Sequence, residues 1–329
     1  MMNSNNSSLS PNYQTIYMNA TIFGGIVVPG LILNTMAVII TCTVARKHLV
    51  PTNIFLATLA AVDLTSILLT TTPTAFYYIF GGWGQVEHSV CLYQGILSVF
   101  STLATGSVAT IISVDRFVAT LRPLWYHAHR PDHSATKLVL GVLASSFAFS
   151  LLPLTGLGKL QAHYPGSFCT LSYSPQSMMA VGYALAFAVL CLLEGIIVVG
   201  CNLIICIYMF RYRRRVEPLL SHVLCVLATR RRKREAQYSH VMLAVSMLFI
   251  ICWIPFMMRA LCGLSGVRVS PEYSAWAVRL LLFKYTLDPC TYLLTRKEYR
   301  HAFTTLIKCH ASRNVTPLAA PAEMADTAL

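Results

Sequence analysis

The stretch Ala277 to Phe303, AVRLLLFKYTLDPCTYLLTRKEYRHAF, decides how the chain is to be read. Most of it is apolar enough for lipid, yet it holds Arg279, Lys284 and Asp288, followed at once by Pro289, and it closes on the basic residues Arg296, Lys297 and Arg300. An ionisable group in hydrocarbon is costly, so such residues face a bundle interior or a wet cavity and mark a ligand or ion site. The segment is expected to be a membrane helix that turns its charges inward.

The rest of the chain has the same character. Hydrophobic residues make up 56% of the 329 and charged residues only 11%, with a mean hydropathy of +0.61, where a soluble domain carries about 25% charged residues. Runs near Ile22 to Val44, Ile54 to Phe80, Val90 to Val114, Leu138 to Leu157, Met178 to Phe210, Val241 to Leu264 and Tyr273 to Leu294 are each long enough to cross a bilayer. Lipid offers no partner to an unpaired backbone group, so helices are expected. The sequence predicts an all-α membrane protein, a seven-transmembrane helix bundle with a short amphipathic eighth helix. The expected organisation is an extracellular segment over 1–20, the bundle over 21–295, the amphipathic helix over 296–309 and a cytoplasmic tail over 310–329.

Basic residues give the orientation. Arg46 and Lys47, Arg122 to Lys137, Arg211 to Arg234 and Arg296 to Lys308 fall in alternate connections, and Lys and Arg collect on the cytoplasmic side. Nothing before Arg46 is charged, so a cleavable signal peptide is not expected. The net charge of +13 then reflects topology and attraction to membrane lipids or an acidic partner, not a nucleic-acid surface. Asn5, Asn6 and Asn19 open glycosylation sequons on the outer side. Of 11 cysteines, Cys91 and Cys169 are the two well placed for an oxidising compartment, and a bridge between them is expected. A multi-pass plasma-membrane protein with an extracellular N-terminus follows.

Short motifs narrow the family. Asp63 is the only charge in the second span; Asp115-Arg116 and Arg122-Pro123-Leu124-Trp125-Tyr126 end the third; Cys252-Trp253-Ile254-Pro255 lies in the sixth; Asp288-Pro289-Cys290-Thr291-Tyr292 lies in the seventh. In this order and sidedness they resemble the rhodopsin-like G-protein-coupled receptors over about residues 20 to 309. Narrower similarity to the prostanoid receptors lies in Leu151-Leu152-Pro153-Leu154-Thr155-Gly156-Leu157-Gly158, Tyr164-Pro165-Gly166-Ser167-Phe168-Cys169, Cys201-Asn202 and Ala277-Val278-Arg279-Leu280. The chain departs from that family's pattern at Cys290, where tryptophan is usual, at Lys284, where a neutral polar residue is usual, and in a fourth span without tryptophan. It reads as a divergent member.

The resemblance implies a receptor that binds a prostanoid or related acidic lipid and passes the signal to a heterotrimeric G protein, with arrestin as a further partner. An acidic lipid needs a fixed cation, hydroxyl donors and an apolar sleeve. Arg279 can grip a carboxylate through two parallel N–H bonds, and it lies ten residues before Pro289, roughly 15 Å outward along a helix. Snorkelling to the interface or pairing with Glu272 is its other use. By resemblance Ser167 and Tyr78 would donate to the same carboxylate, with Tyr77 in place of Tyr78 if the register slips by one. Ser98 supplies a hydroxyl in the outer half of the third span, where an amine receptor would need an aspartate, and Arg259 is a rival anchor. Glu194 has both a neighbouring helix and the pocket open to it.

A retinal cofactor is not expected. In opsins the lysine stands seven residues before the helix proline, a place held here by Leu282, whereas Lys284 stands five before Pro289. Two residues turn a helix by about 200°. Lys284 instead meets Asp288 at i+4, and with Asp63 and Asn34 the two form a candidate polar centre. The family resemblance implies a sodium ion at such a centre, which the Lys284 ammonium would replace. A lysine facing a wet cavity without a regulatory role is the alternative. Trp253 and Pro255 are expected to form the hinge, with Arg116 held by Asp115 at rest and Tyr292 able to swing toward it. Cys309 is a palmitoylation candidate, and Thr327-Ala328-Leu329 resembles a ligand of PDZ domains. A receptor for another lipid or small ligand is the runner-up. A seven-span transporter would show an internal repeat, and an enzyme would show HExxH or GxSxG; neither pattern occurs in the sequence.

Overall fold

A computed structural model describes residues 13–47, 51–82, 84–128, 134–173, 177–216, 248–295, 300–301 and 304–305. Its helices are α1 (Tyr13–Lys47), α2 (Pro51–Phe80), α3 (Glu87–Leu121), α4 (Pro123–Ala128), α5 (Ser134–Leu151), α6 (Met178–Val216), α7 (Leu248–Leu264) and α8 (Pro271–Thr295). Among the described residues α1, α2, α3, α5 and α6 are long and apolar enough to cross a membrane, and α7 is a shorter apolar helix. With 25 residues, α8 spans about 37 Å, and its charges are what lower its apolarity. Residues 241–247 of the expected sixth span, Asn5, Asn6, Cys309 and the tail lie outside the described residues. Of the expected amphipathic helix, residues 300, 301, 304 and 305 are described, and they are helical.

Helix faces divide between lipid and interior. Val28, Ile32 and Ile39 on α1 and Leu193, Ile196 and Leu203 on α6 are exposed, which suits hydrocarbon and not water. The largest buried cluster joins Val99 and Leu103 of α3, Phe187 and Cys191 of α6, and Phe249, Trp253 and Phe256 of α7. A second joins Ala37 and Ile40 to Ala60 and Val108, knitting α1, α2 and α3. Val27, Ile67 and Tyr285 close α8 against α1 and α2. These packings aim one face of α8 into the bundle.

Two boundaries differ from expectation. The helix expected from Ile22 begins at Tyr13, so α1 takes in residues 13–21 as well. The fourth span leaves the α-helix at Leu151 and continues as a 3-10 turn over Leu152–Thr155. Pro153 supplies no N–H to extend the ladder, and Gly156 at φ 84° donates its N–H to the Pro153 carbonyl at 3.1 Å, reversing the chain.

That reversal leads into a hairpin that the sequence reading did not anticipate. Strand β1 (Leu160–His163) pairs antiparallel with β2 (Phe168–Leu171), with Leu160 opposite Leu171 and His163 opposite Phe168. The Cys91–Cys169 disulfide ties it to the top of α3. Gln94, one turn below Cys91 and fully buried, does more: its Nε2 donates to the Thr70 carbonyl and Thr74 Oγ1, both at 2.8 Å, and its Oε1 accepts the Cys169 N–H at 2.7 Å. Thr74 Oγ1 donates to the Ser167 carbonyl at 2.9 Å. One amide therefore locks α2, α3 and β2 in register. Gly95 lets the hairpin sit close, since a Cβ there would lie 2.8 Å from Leu160.

Replacing Gln94 by Leu strands the Cys169 N–H and removes the bonds to Thr70 and Thr74, and an unsatisfied buried group costs about 1–3 kcal/mol. Thermal unfolding of the detergent-solubilised protein should show Gln94→Leu less stable by about 2–4 kcal/mol, with a melting point several degrees lower.

Candidate ligand pocket and polar switch

Beneath the hairpin, α1, α2 and α8 enclose a pocket with about 580 Å³ of empty space, its open mouth included. Phe23 and Ile26 of α1, Phe168 of β2, and Val278 and Leu282 of α8 form its apolar walls. The polar groups gather on one side: Tyr78, Ser167 and Arg279 all line the pocket, and Ser167 Oγ donates to the Tyr78 hydroxyl at 3.0 Å. The Arg279 guanidinium stacks over the Trp276 ring with its carbon 4.9 Å from the centroid and donates to Asn19 Oδ1. Among the described residues the ion pairs are Asp115 with Arg116 and Lys284 with Asp288, so Arg279 is not paired with Glu272. The cation has no anionic partner and faces a cavity.

Other candidates are sorted by the same geometry. Tyr77 does not line this pocket, and its hydroxyl lies 3.4 Å from the Pro165 carbonyl. It braces the hairpin turn, so Tyr78 is the pocket residue of the pair. Ser98 Oγ lies 2.9 Å from both the Gly95 carbonyl and Thr170 Oγ1, which makes it a hairpin anchor and not a lining group. Arg259 is only 4% exposed. Its Nε donates to Ser274 Oγ at 2.5 Å, it lies over Tyr173 at 5.1 Å, and its Nη1 has no hydrogen-bond partner. Ser274 does line the pocket, so Arg259 stands one residue behind the wall. Asn19, which opens one of the sequons, is 3% exposed within α1.

His163 also lines the pocket, and the sequence reading passed over it. Its Nε2 is 3.3 Å from the Leu171 carbonyl, so Nε2 carries the proton and donates. Burial and, after it, the nearby Arg259 charge push its pKa down to about 3. The imidazole is thus neutral at physiological pH.

A second polar group lies deeper. Lys284 Nζ is 2.5 Å from Asp288 Oδ2, with both residues buried, and the ammonium lies 5.5 Å from the Tyr285 ring centroid. Asn34 Nδ2 donates to the Gly30 carbonyl at 2.9 Å and the Tyr285 carbonyl at 2.8 Å, fastening α1 to α8. Asp63 is fully buried and neither carboxylate oxygen has a hydrogen-bond partner. Of the expected pairing of Lys284 with both aspartates, the direct ion pair is made to Asp288, which i+4 spacing on one helix brings into contact, while Asp63 lies close enough to interact with both. Lys284 does not line the outer pocket, whereas Leu282 does, as the helical turn between them requires.

Residues 33–292 match the family described as 7 transmembrane receptor (rhodopsin family). The chain belongs to this family. Its members are receptors and not enzymes. Among curated relatives, the prostaglandin E2 receptor EP3 subtype of Bos taurus is 26% identical over 77% of this chain and 65% of its own length. The prostaglandin E2 receptor EP4 subtype of Homo sapiens is 26% identical over 92% of this chain and 70% of its own. The KiSS-1 receptor of Homo sapiens is likewise 26% identical, over 92% and 78%. The chain thus spans about two thirds of the length of the prostaglandin E2 receptors it matches. The crystal structure of squid rhodopsin superposes with a TM-score of 0.78 at 15% identity, covering 94% of this chain and 89% of that one, which shows the seven-transmembrane fold.

The expected switch residues of this receptor occupy the bundle as follows. Trp253 is buried and stacks on Phe249 with centroids 5.0 Å apart. Gly195 of α6 makes the space, since a Cβ there would lie 2.9 Å from the indole. Pro255, two residues on, interrupts the α7 ladder, and its carbonyl accepts the Tyr273 hydroxyl at 3.1 Å. At the far end of α3, Arg116 pairs with Asp115 at 2.7 Å, and Tyr126 of α4 donates to the other Asp115 oxygen at 2.7 Å. Pro289 lies inside α8; the Tyr292 side chain is outside the described residues. Glu194 accepts from Ser107 Oγ at 2.6 Å and packs against Gly106, so it binds α6 to α3 and leaves the outer pocket alone.

His163 has a pH signature. A histidine held neutral in the fold but free to protonate when unfolded loses stability as pH falls below about 6.5, and the loss continues toward the folded value of about 3. Between pH 7 and 5 the wild type should lose on the order of 1–2 kcal/mol more than His163→Gln, read as the difference in melting-temperature shift between the two.

Proposed function

We propose that this receptor binds a carboxylate lipid mediator, a prostaglandin, in the outer pocket and transmits the event to a heterotrimeric G protein. The observation that carries the reading is the pocket's polar corner: an unpaired guanidinium, Arg279, beside the Ser167 and Tyr78 hydroxyls, at the end of an apolar sleeve. A carboxylate would take two parallel N–H bonds from Arg279, and the two hydroxyls would reorient to donate to it. The acyl chains would follow Phe23, Ile26 and Leu282 inward. His163, neutral and already donating to a carbonyl, would offer its other ring nitrogen as an acceptor for a ligand hydroxyl. Two curated relatives bear the name of prostaglandin E2 receptors, which agrees in ligand class.

Ligand binding shifts an equilibrium only through tighter contact with one arrangement of helices. In this reading α8 moves with the carboxylate it holds, Trp253 and Pro255 transmit the movement to the inner half of α7, and Arg116 leaves Asp115 to meet the G protein. The Lys284 ammonium serves as a tethered cation in the polar centre. The hairpin side is extracellular and the basic side cytoplasmic, where arrestin would also dock.

A second reading rests on Arg259. Its buried Nη1 without a partner could anchor the acid in place of Arg279, with Ser274 between it and the ligand. The two anchors give opposite results on substitution.

Cells expressing the receptor, challenged with a panel of prostaglandins and other fatty acids while cyclic AMP and calcium are read together, should respond to at least one prostaglandin. Arg279→Ala should lower its potency by about a hundredfold, the value of a charge-assisted bidentate contact of about 3 kcal/mol. Full potency in Arg279→Ala with loss in Arg259→Ala would favour the second reading. For the tethered cation, exchange of sodium for choline should leave agonist affinity of the wild type unchanged, and Lys284→Met should make it sodium-sensitive; a sodium effect on the wild type counts against that role.

A further inference from the structure

We propose that Asn19 belongs to the carboxylate site, holding Arg279 through its Oδ1 and offering its Nδ2 to the bound acid, and that its sequon therefore carries no glycan. The inference rests on the function proposed above and adds a residue to that site.

Three observations lead to it. Asn19, Phe23 and Ile26 fall at i, i+4 and i+7 of α1, one helical face, and Phe23 and Ile26 line the pocket. Asn19 stands one turn outward of Phe23 on that face. Arg279 Nη2 donates to the Asn19 amide, and a guanidinium has only donors, so the atom facing it must be the amide oxygen. The Nδ2 is then fixed by default. It is buried and has no hydrogen-bond partner, a rare condition for a buried donor in a side chain only 3% exposed. A donor in this state, beside a guanidinium that also lacks an anion, awaits an acceptor.

A carboxylate seated on Arg279 has two oxygens to satisfy. Arg279 approaches from α8, Ser167 from the hairpin and Tyr78 from α2, and Asn19 would approach from α1 with the remaining donor. The choice of amide matters. An aspartate here would neutralise Arg279 and compete with the ligand, whereas asparagine orients the cation and leaves its charge available. Asn19 is thus a positioning residue for Arg279 as well as a donor to the ligand.

The same geometry disposes of the sequon Asn19-Ala20-Thr21. It lies inside α1, with Thr21 Oγ1 bonded back to the Tyr17 carbonyl at 2.9 Å. Thr21 is exposed and its hydroxyl is turned back to the Tyr17 carbonyl, so Thr21→Ala destroys the sequon without removing a group that lines the pocket.

The test uses the full-length receptor in mammalian cells, with prostaglandin E2 as the probe, glycosidase-dependent gel mobility, and melting temperature as a check on folding. Thr21→Ala should change neither mobility nor affinity. Asn19→Ala should weaken prostaglandin E2 about tenfold, the loss of one hydrogen bond to a charged group. Asn19→Asp should weaken it further, by about a hundredfold, as the new carboxylate pairs with Arg279. Asn19→Ala carries the test if Asn19→Asp does not fold. A glycosidase-sensitive band lost in Thr21→Ala, or wild-type affinity in Asn19→Ala, overturns the inference. Wild-type affinity in Asn19→Ala with binding lost in Arg279→Gln leaves the proposed function standing. A wild type that binds no prostaglandin overturns both.

Discussion

Charge in hydrocarbon must find a partner or a cavity, and α8 carries three charges through the bundle under that constraint. Lys284 and Asp288 meet it by pairing at i+4 on the inner face. Arg279, lying on the pocket side two turns further out, meets it with an asparagine, an indole face and open space. The first solution is closed and neutral overall; the second leaves a net positive charge. Because α8 can present only one orientation, fixing Lys284 and Asp288 against the interior also fixes where Arg279 points. The polar centre thereby sets the direction of the pocket-facing cation.

The pocket's second wall depends on a different device. A loop between spans has no lipid to shape it, and here the shape comes from a covalent bond plus one buried amide. Cys91–Cys169 brings β2 to α3, and Gln94 then registers it against α2 through three hydrogen bonds. Ser167 and His163 reach the pocket because the strand is held at that height. A disulfide alone would leave β2 free to rotate about the bond. Gln94 removes that freedom, so the pocket side of the hairpin is fixed by a residue that does not line the pocket.

Hydropathy and basic-residue placement made the bundle legible, because lipid imposes one strong rule on every span. The helix start at Tyr13 was not legible: residues 13–21 are polar enough to resemble a solvated segment, and their helicity depends on packing against α8, as the Asn19 to Arg279 bond illustrates. The hairpin was hidden for a related reason. Two strands of four residues give too few positions for an alternating pattern to register, and their pairing is enforced from outside by Cys91 and Gln94. Tyr78, Ser167 and Arg279 could be named from similarity of short motifs, and the structure brings all three to one pocket. His163 and Asn19 could not be named that way. A loop histidine gives no signal until its burial is known, and in the sequence Asn19 gives only the signal of a sequon.

The central claim is that Arg279 reads the acid group of the ligand. The most direct measurement is the affinity ratio between a bound prostaglandin and its methyl ester, taken in the wild type and in Arg279→Gln. Esterification removes the charge and keeps nearly all the apolar surface, so the ratio isolates what the guanidinium does. The account predicts a ratio on the order of a hundred in the wild type that collapses toward one in Arg279→Gln. An equal ratio in both would contradict it and move the anchor elsewhere in the bundle.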